Sequence, residues 1–144
     1  MRVLVLHGPN LNLLGEREPE IYGRQTLAEL NAAIASAGKE LGIEARCEQY
    51  NAEGAIIDAL HAARKTYAGV VINPGAYAHY SHAIADAIAA IGIPVIEVHI
   101  SNTAAREAHR RTSVTAPACL GTIAGLGSEG YVLALRALAG LLKG

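Results

Sequence analysis

Five short runs rich in Val, Ile and Leu recur along the 144-residue chain, at residues 2–6, 43–49, 69–72 and 94–99 and, more weakly, at 120–124. Their length, their β-branched content and the turn residues around them read as strands. Between them apolar residues recur at helical spacing. Helices are expected over 27–41, with Thr26 as N-cap and Gly42 beyond the end, over 53–66, 81–91 and 127–142, and over a shorter stretch, 103–108. The strongest runs are continuously apolar, so both faces of each strand need cover. A parallel sheet between two helical layers supplies it.

A chain of this length forms one domain, residues 1–144, around a single core. Right-handed crossovers through five parallel strands give a doubly wound α/β fold of flavodoxin-like order 2-1-3-4-5, with helices on both faces. In that order a functional crevice lies beyond the carboxyl ends of strands 1 and 3, where the winding reverses. Ala is abundant and Phe and Trp are absent, so the helices are expected to lie close against the sheet in tight aliphatic layers.

The remaining composition mainly excludes. A net charge of −1, with basic and acidic residues interspersed, offers neither a nucleic-acid footprint nor an anionic-membrane anchor. The longest apolar segment, near 83–98, is interrupted by Asp86, Gly92, Pro94 and Glu97, so no membrane span is expected. The opening M-R-V-L-V-L reaches Gly8-Pro9 too soon for a signal peptide. Cys47 and Cys119 stand alone, which favours reduced thiols in a cytoplasmic protein. No H-x-x-x-H or H-E-x-x-H spacing, Gly-rich phosphate loop or G-x-S-x-G elbow occurs.

Around the ends of the first four runs the sequence reads H-G-P-N, Q-Y-N-A-E-G, I-N-P-G-A-Y-A-H and I-E-V-H-I-S-N, so polar groups converge on one edge of the sheet. Turn chemistry alone accounts for some of them, and Asn73 taken singly fits either a turn or the crevice. Glu97 and His99 are more telling. Residues two apart on a strand face the same side, and a buried carboxylate is costly unless paired, so the two share an interaction. A carboxylate beside an imidazole favours the imidazolium and fixes the ring, as a general acid requires; a structural ion pair would use the same geometry. Ile100, Ser101 and Asn102 lead into the short helix, where backbone N–H groups and the Ser101 hydroxyl make a carboxylate seat or an ordinary cap. His79, before the N-cap Ser81, is within reach of the same crevice, and Arg110 or Arg111 is a candidate for an anionic or hydroxyl-rich ligand. His7, His61, His82 and His109 have no evident partner and read as structural or exposed.

The connection from Gly8 to Gly23 exceeds severalfold the roughly 2–6 residues usual in α/β units. Long connections of this kind are often lids or binding loops. Gly8, Gly15 and Gly23 supply turns or hinges, and the loop carries Arg17 and Tyr22. A guanidinium near a phenol favours the phenolate, which makes Tyr22 a candidate base. Residues 8–14, with Asn10, read as a fixed floor, and residues 15–23 as a mobile lid.

Taken together, G-P-N-L-N-L-L-G-x-R-E-P-x-x-Y-G, N-x-E-G at 51–54, I-N-P-G-A-Y-x-H at 72–79, P-V-I-E-V-H-I-S-N at 94–102, A-R-E at 105–107 and G-L-G-x-x-G-Y at 125–131 resemble the type II 3-dehydroquinate dehydratases over nearly the whole chain. The resemblance implies the fold already reached. It also implies cofactor-free elimination of water from 3-dehydroquinate to give 3-dehydroshikimate, a step of the shikimate pathway or of quinate breakdown. By the same resemblance Tyr22, kept ionised by Arg17, is the base that forms an enolate. Asn10 holds a water or the enolate oxygen, and His99, oriented by Glu97, protonates the departing hydroxyl. Asn73, His79, Ile100, Ser101 and Arg110 match substrate-binding positions, and Asp86 one that reaches a neighbouring subunit's site in a dodecamer built from trimers.

The sequence departs from the family pattern at Tyr50, Ala52, Ala78, Tyr80 and Ala104, none of which is a matched catalytic group. Two other readings stay open on the residues: a flavodoxin-like module binding a flavin or nucleotide at the switch point, and a related dehydratase of altered substrate range.

Overall fold

Every strand expected from the Val/Ile runs forms, with ends within one residue of those expected. In the computed structural model, which describes residues 1–143, the elements are β1 (Arg2–His7), α1 (Pro19–Tyr22), α2 (Leu27–Glu40), β2 (Glu44–Gln49), α3 (Glu53–Thr66), β3 (Gly69–Asn73), α4 (His82–Ala90), β4 (Val95–His99), β5 (Gly121–Ala124) and α5 (Glu129–Lys143). All strand pairs are parallel and the order is β2-β1-β3-β4-β5, the doubly wound topology expected.

The pleat divides the core in two. Val3, Val5, Val71, Ile96 and Val98 face α2 and α5, meeting Leu30, Ile34, Leu135 and Leu138. Their strand neighbours Leu4, Leu6, Val70, Ile72 and Val95 face α3 and α4, meeting Ile56, Leu60, Ile84 and Ile88. By the same alternation, His7 and Asn73 continue the first face at the strand ends, while Glu97 and His99 continue the second. Helix starts are set by side chains: Thr26 and Glu29 form a capping box on α2, and Ser81 caps α4 by accepting from the Ile84 N–H at 3.1 Å.

Two expectations are corrected. Residues 103–108 form no helix but two 3₁₀ turns, Thr103–Ala105 and Ala108–Arg110, with Arg106 extended between them. This segment has no apolar stripe to dock, and a helix so short does not persist without docking. The connection at 8–23 is not irregular throughout. It holds a 3₁₀ turn at Leu11–Leu13 and the single helical turn α1, opened by Pro19. Leu11 and Leu14 anchor its first half in the core.

Cys47 and Cys119 are unpaired. Burial pushes both thiols up to about 12, so they stay protonated. No described helix is long and apolar enough to cross a membrane.

The exits of β1 and β3 touch at Gly8, whose N–H donates to the Asn73 carbonyl at 2.7 Å. A Cβ here would lie 2.6 Å from the Pro74 carbonyl carbon, so the close approach requires glycine. Gly8→Ala is expected to destabilise the fold by about 2 kcal/mol as the two exits are forced apart, measured by urea unfolding.

Candidate active site

The three central strands end at one edge, and their extensions meet there. The first loop brings Asn10, Arg17 and Tyr22 to a narrow cleft, the end of β3 and the segment after it bring Asn73 and His79, and the exit of β4 brings His99, Ile100 and Ser101. Arg110 closes the far side. The cleft holds about 40 Å³ of open space. It lies beside a groove of about 800 Å³ that shares Tyr22, Ile100, Ser101 and Arg106 with it. Two expected site residues lie off its wall: Glu97 is buried directly behind His99, and Asp86 stands exposed on α4.

Glu97 is only 1% exposed. It accepts from His99 Nε2 at 2.9 Å, from Ser113 Oγ at 2.8 Å and from Thr115 Oγ1. Burial pushes its pKa up, but the hydrogen bonds from His99, Thr115 and Ser113 and the charge of His99 more than offset this, and the carboxyl is held below its ordinary value. An ionised Glu97 fixes a proton on Nε2 and leaves Nδ1 for the cleft side of the ring. The His79 ring stacks on His99, centroids 6.4 Å apart, and donates from its own Nδ1 to the Thr112 carbonyl at 2.8 Å.

Tyr22 is held by two guanidinium groups, in a way the sequence conveyed only in part. Arg17 lies over the face of the ring, 4.5 Å from its centre, and makes a cation–π contact. The phenol oxygen itself is met by Arg106, whose Nη1 donates to it at 2.7 Å and to Ser101 Oγ at 3.3 Å. Arg106 thus adds a second guanidinium, at the phenol oxygen, to the one that Arg17 holds over the ring. The extended backbone at Arg106, where a helix was expected, accompanies this reach.

The floor of the loop is pinned from β2. Gln49 Nε2 donates to the Gly8 carbonyl at 3.1 Å, and Asn51 Oδ1 accepts from the Asn10 N–H at 3.0 Å. Asn10 adopts the left-handed conformation, φ 69°, which Asn tolerates better than most residues. Its side chain makes no capping bond and lines the cleft. Arg110 donates to Glu107 at 2.7 Å while bordering the same space. Tyr50, Ala52, Ala78, Tyr80 and Ala104 are all absent from the cleft wall. His61, His82 and His109 are exposed, as expected, whereas His7 is fully buried in a hydrogen-bond network.

The sequence reading gave no role to Ser113, Thr115, Gln49 or Tyr131. Asn51, Arg106 and Tyr131 lie within stretches quoted for family likeness and Gln49 opens the polar stretch at the end of the second run, which were the available signals; Ser113 and Thr115 had none.

Thr115→Val removes a buried donor from an ionised carboxylate and is expected to cost about 2 kcal/mol at about pH 7. Because the folded pKa of Glu97 is lowered, its ionisation favours the folded state above the ordinary carboxylate range, and this contribution fades as pH falls through the folded value. The cost of the substitution should therefore shrink as denaturant titrations are carried to progressively lower pH, and a cost that stays constant down to the acid limit of folding would count against an ionised Glu97.

The chain as a whole has close relatives. The family model described as dehydroquinase class II matches residues 1–139. The 3-dehydroquinate dehydratase of Pelotomaculum thermopropionicum is 55% identical over 141 residues, covering 98% of each chain. That of Ruegeria pomeroyi is 54% identical, covering 98% of this chain and 95% of its own. The crystal structure of the type II dehydroquinase from Butyrivibrio crossotus superposes with a TM-score of 0.94 at 50% identity, covering 96% of this chain and 97% of that one. A sheet order, a strand-end cleft and a sequence match that run together over nearly the full length lead to one conclusion: the chain belongs to the class II dehydroquinase family.

Proposed function

We propose that the chain eliminates water from 3-dehydroquinate to give 3-dehydroshikimate, with Tyr22 as base and His99 as acid. Family membership and relatives bearing the name 3-dehydroquinate dehydratase support the reaction. The observation that carries the division of labour is the pairing, in one cleft, of a phenol oxygen bonded to a guanidinium with an imidazole bonded to a buried carboxylate.

Tyr22, as phenolate, takes a proton from the carbon beside the ketone, and the electron pair moves to form an enolate. Arg106 and Arg17 stand where they stabilise negative charge on the phenol oxygen and on the ring. Asn10 serves the enolate oxygen directly or through a water. The enolate then collapses to the conjugated enone as the hydroxyl leaves with a proton from His99, which Glu97 keeps in one orientation. Atoms and electrons balance without a metal or redox partner, the base's proton and the acid's vacancy being equalised by solvent. Asn73, His79, Ile100, Ser101 and Arg110 bind the carboxylate and hydroxyls. Residues 15–23 act as the lid.

The same reading makes the working unit a dodecamer of trimers in which Asp86, exposed on α4, serves a neighbour's site. The unpaired thiols accord with a cytoplasmic location.

Mixing protein with 3-dehydroquinate should produce the ultraviolet absorbance of a conjugated enone, with chelator present as well as without it. A folded protein that gives no absorbance change would sink the assignment. Tyr22→Phe should lower kcat by about a thousandfold with the fold intact, as expected for loss of a general base, and substantial remaining turnover would remove Tyr22 from that role.

A further inference from the structure

We propose that Tyr131 and His7 are positioning residues of the substrate site: a hydrogen-bond relay of fixed direction holds the Asn73 amide so that an N–H, not the carbonyl, is presented to the cleft. The proposal rests on the reading of Asn73 as a substrate-binding residue and specifies which chemistry it offers, a donor for an acceptor oxygen such as one of a carboxylate.

The direction of the relay follows from one backbone group. The Gly75 N–H can only donate, and it meets the Asn73 side chain at 3.1 Å, so the atom facing it is Oδ1. The other arm, Nδ2, then donates to the Tyr131 hydroxyl at 3.0 Å. Having accepted there, the hydroxyl sends its own proton to His7 Nδ1 at 3.2 Å, across rings tilted by 53°. His7 must therefore keep Nδ1 bare and carry its proton on Nε2, which donates to Asn31 Oδ1 at 2.8 Å. An amide flip at Asn73 would set two donors against each other at Gly75.

The relay is also sealed. His7 and Tyr131 are 0% exposed, so water has no route to replace a missing link. Burial lowers the His7 pKa to about 4, the Asn31 bond offsetting only part of this, and burial pushes the Tyr131 phenol up. Neither group changes charge near neutral pH, and the direction does not reverse. Asn73 has two amide protons, of which Tyr131 takes one; the residue borders the cleft, which leaves the second for ligand.

Steady-state kinetics and urea unfolding on four variants test this. Asn73→Ala should raise KM, and Tyr131→Phe should raise it about tenfold, the equivalent of one hydrogen bond to a charged group, while kcat changes by less than about threefold. Asparagine places its oxygen near where Nδ1 of histidine lies, and glutamine places its amide nitrogen near Nε2. His7→Gln should therefore resemble Tyr131→Phe, while His7→Asn should recover most of the lost affinity even if both His7 variants lose similar stability. Nitrogen-15 NMR of the wild-type protein should show His7 neutral with its proton on Nε2. A proton on Nδ1 would overturn the relay, as would a raised KM for Asn73→Ala with none for Tyr131→Phe, or equal KM values for the two His7 variants. An unchanged KM for Asn73→Ala would remove both the reading of Asn73 and the relay built on it.

Discussion

The carboxylate of Glu97 lies within a strand whose sheet is covered by helices on both sides, and it stays ionised only because three donors reach it. An isolated carboxylate there would take up a proton rather than bear the desolvation. His99, Ser113 and Thr115 change that balance, and the result propagates outward. The charge fixes which nitrogen of His99 holds its proton, and the ring pose that follows sets where an acid can act. The β4–β5 connection is tied back to the sheet through the same two hydroxyls, one of which also accepts from the Ala116 N–H.

The site is supported from both sides of the sheet because strand residues alternate. His99 is braced from the α3/α4 side through Glu97. Asn73 is braced from the α2/α5 side, through a tyrosine on α5 that also meets His7 at the end of β1. Between them, Gly8 brings the exits of β1 and β3 into backbone contact and Gln49 and Asn51 hold the loop floor. Tyr22 reaches the cleft from the first loop, with no bond from its side chain to the sheet. Its placement depends on side-chain contacts with Arg17 and Arg106.

What was legible in the sequence follows from the range of each interaction. Strand runs and helix caps are local patterns, so the sheet order and the Thr26 and Ser81 caps could be read directly. The Glu97–His99 pair was legible too, since two residues on one strand share a side. Thr115 was not: it meets Glu97 from 18 residues away, and a hydroxyl in a loop leaves no periodic trace. Tyr131 meets His7 across 124 residues, and His7 accordingly had no visible partner. Arg106 was hidden by a local misreading, because a segment read as a helix gives no reason for one of its residues to reach back to a phenol 84 positions earlier.

The distances along the chain bear on how the molecule comes into being. The groups assigned to the chemistry, Asn10 to Arg110, precede three of the residues that support them, for Ser113 and Thr115 come later and Tyr131 later still. On the ribosome, β1 through β4 emerge with Glu97 lacking its hydroxyl donors and Asn73 lacking its tyrosine. Until those donors arrive, the Glu97 carboxyl is favoured in its protonated form, and its charge is established only when Ser113 and Thr115 reach it. The segment from Ser113 to Tyr131 thus completes the support of a cleft lined by earlier residues.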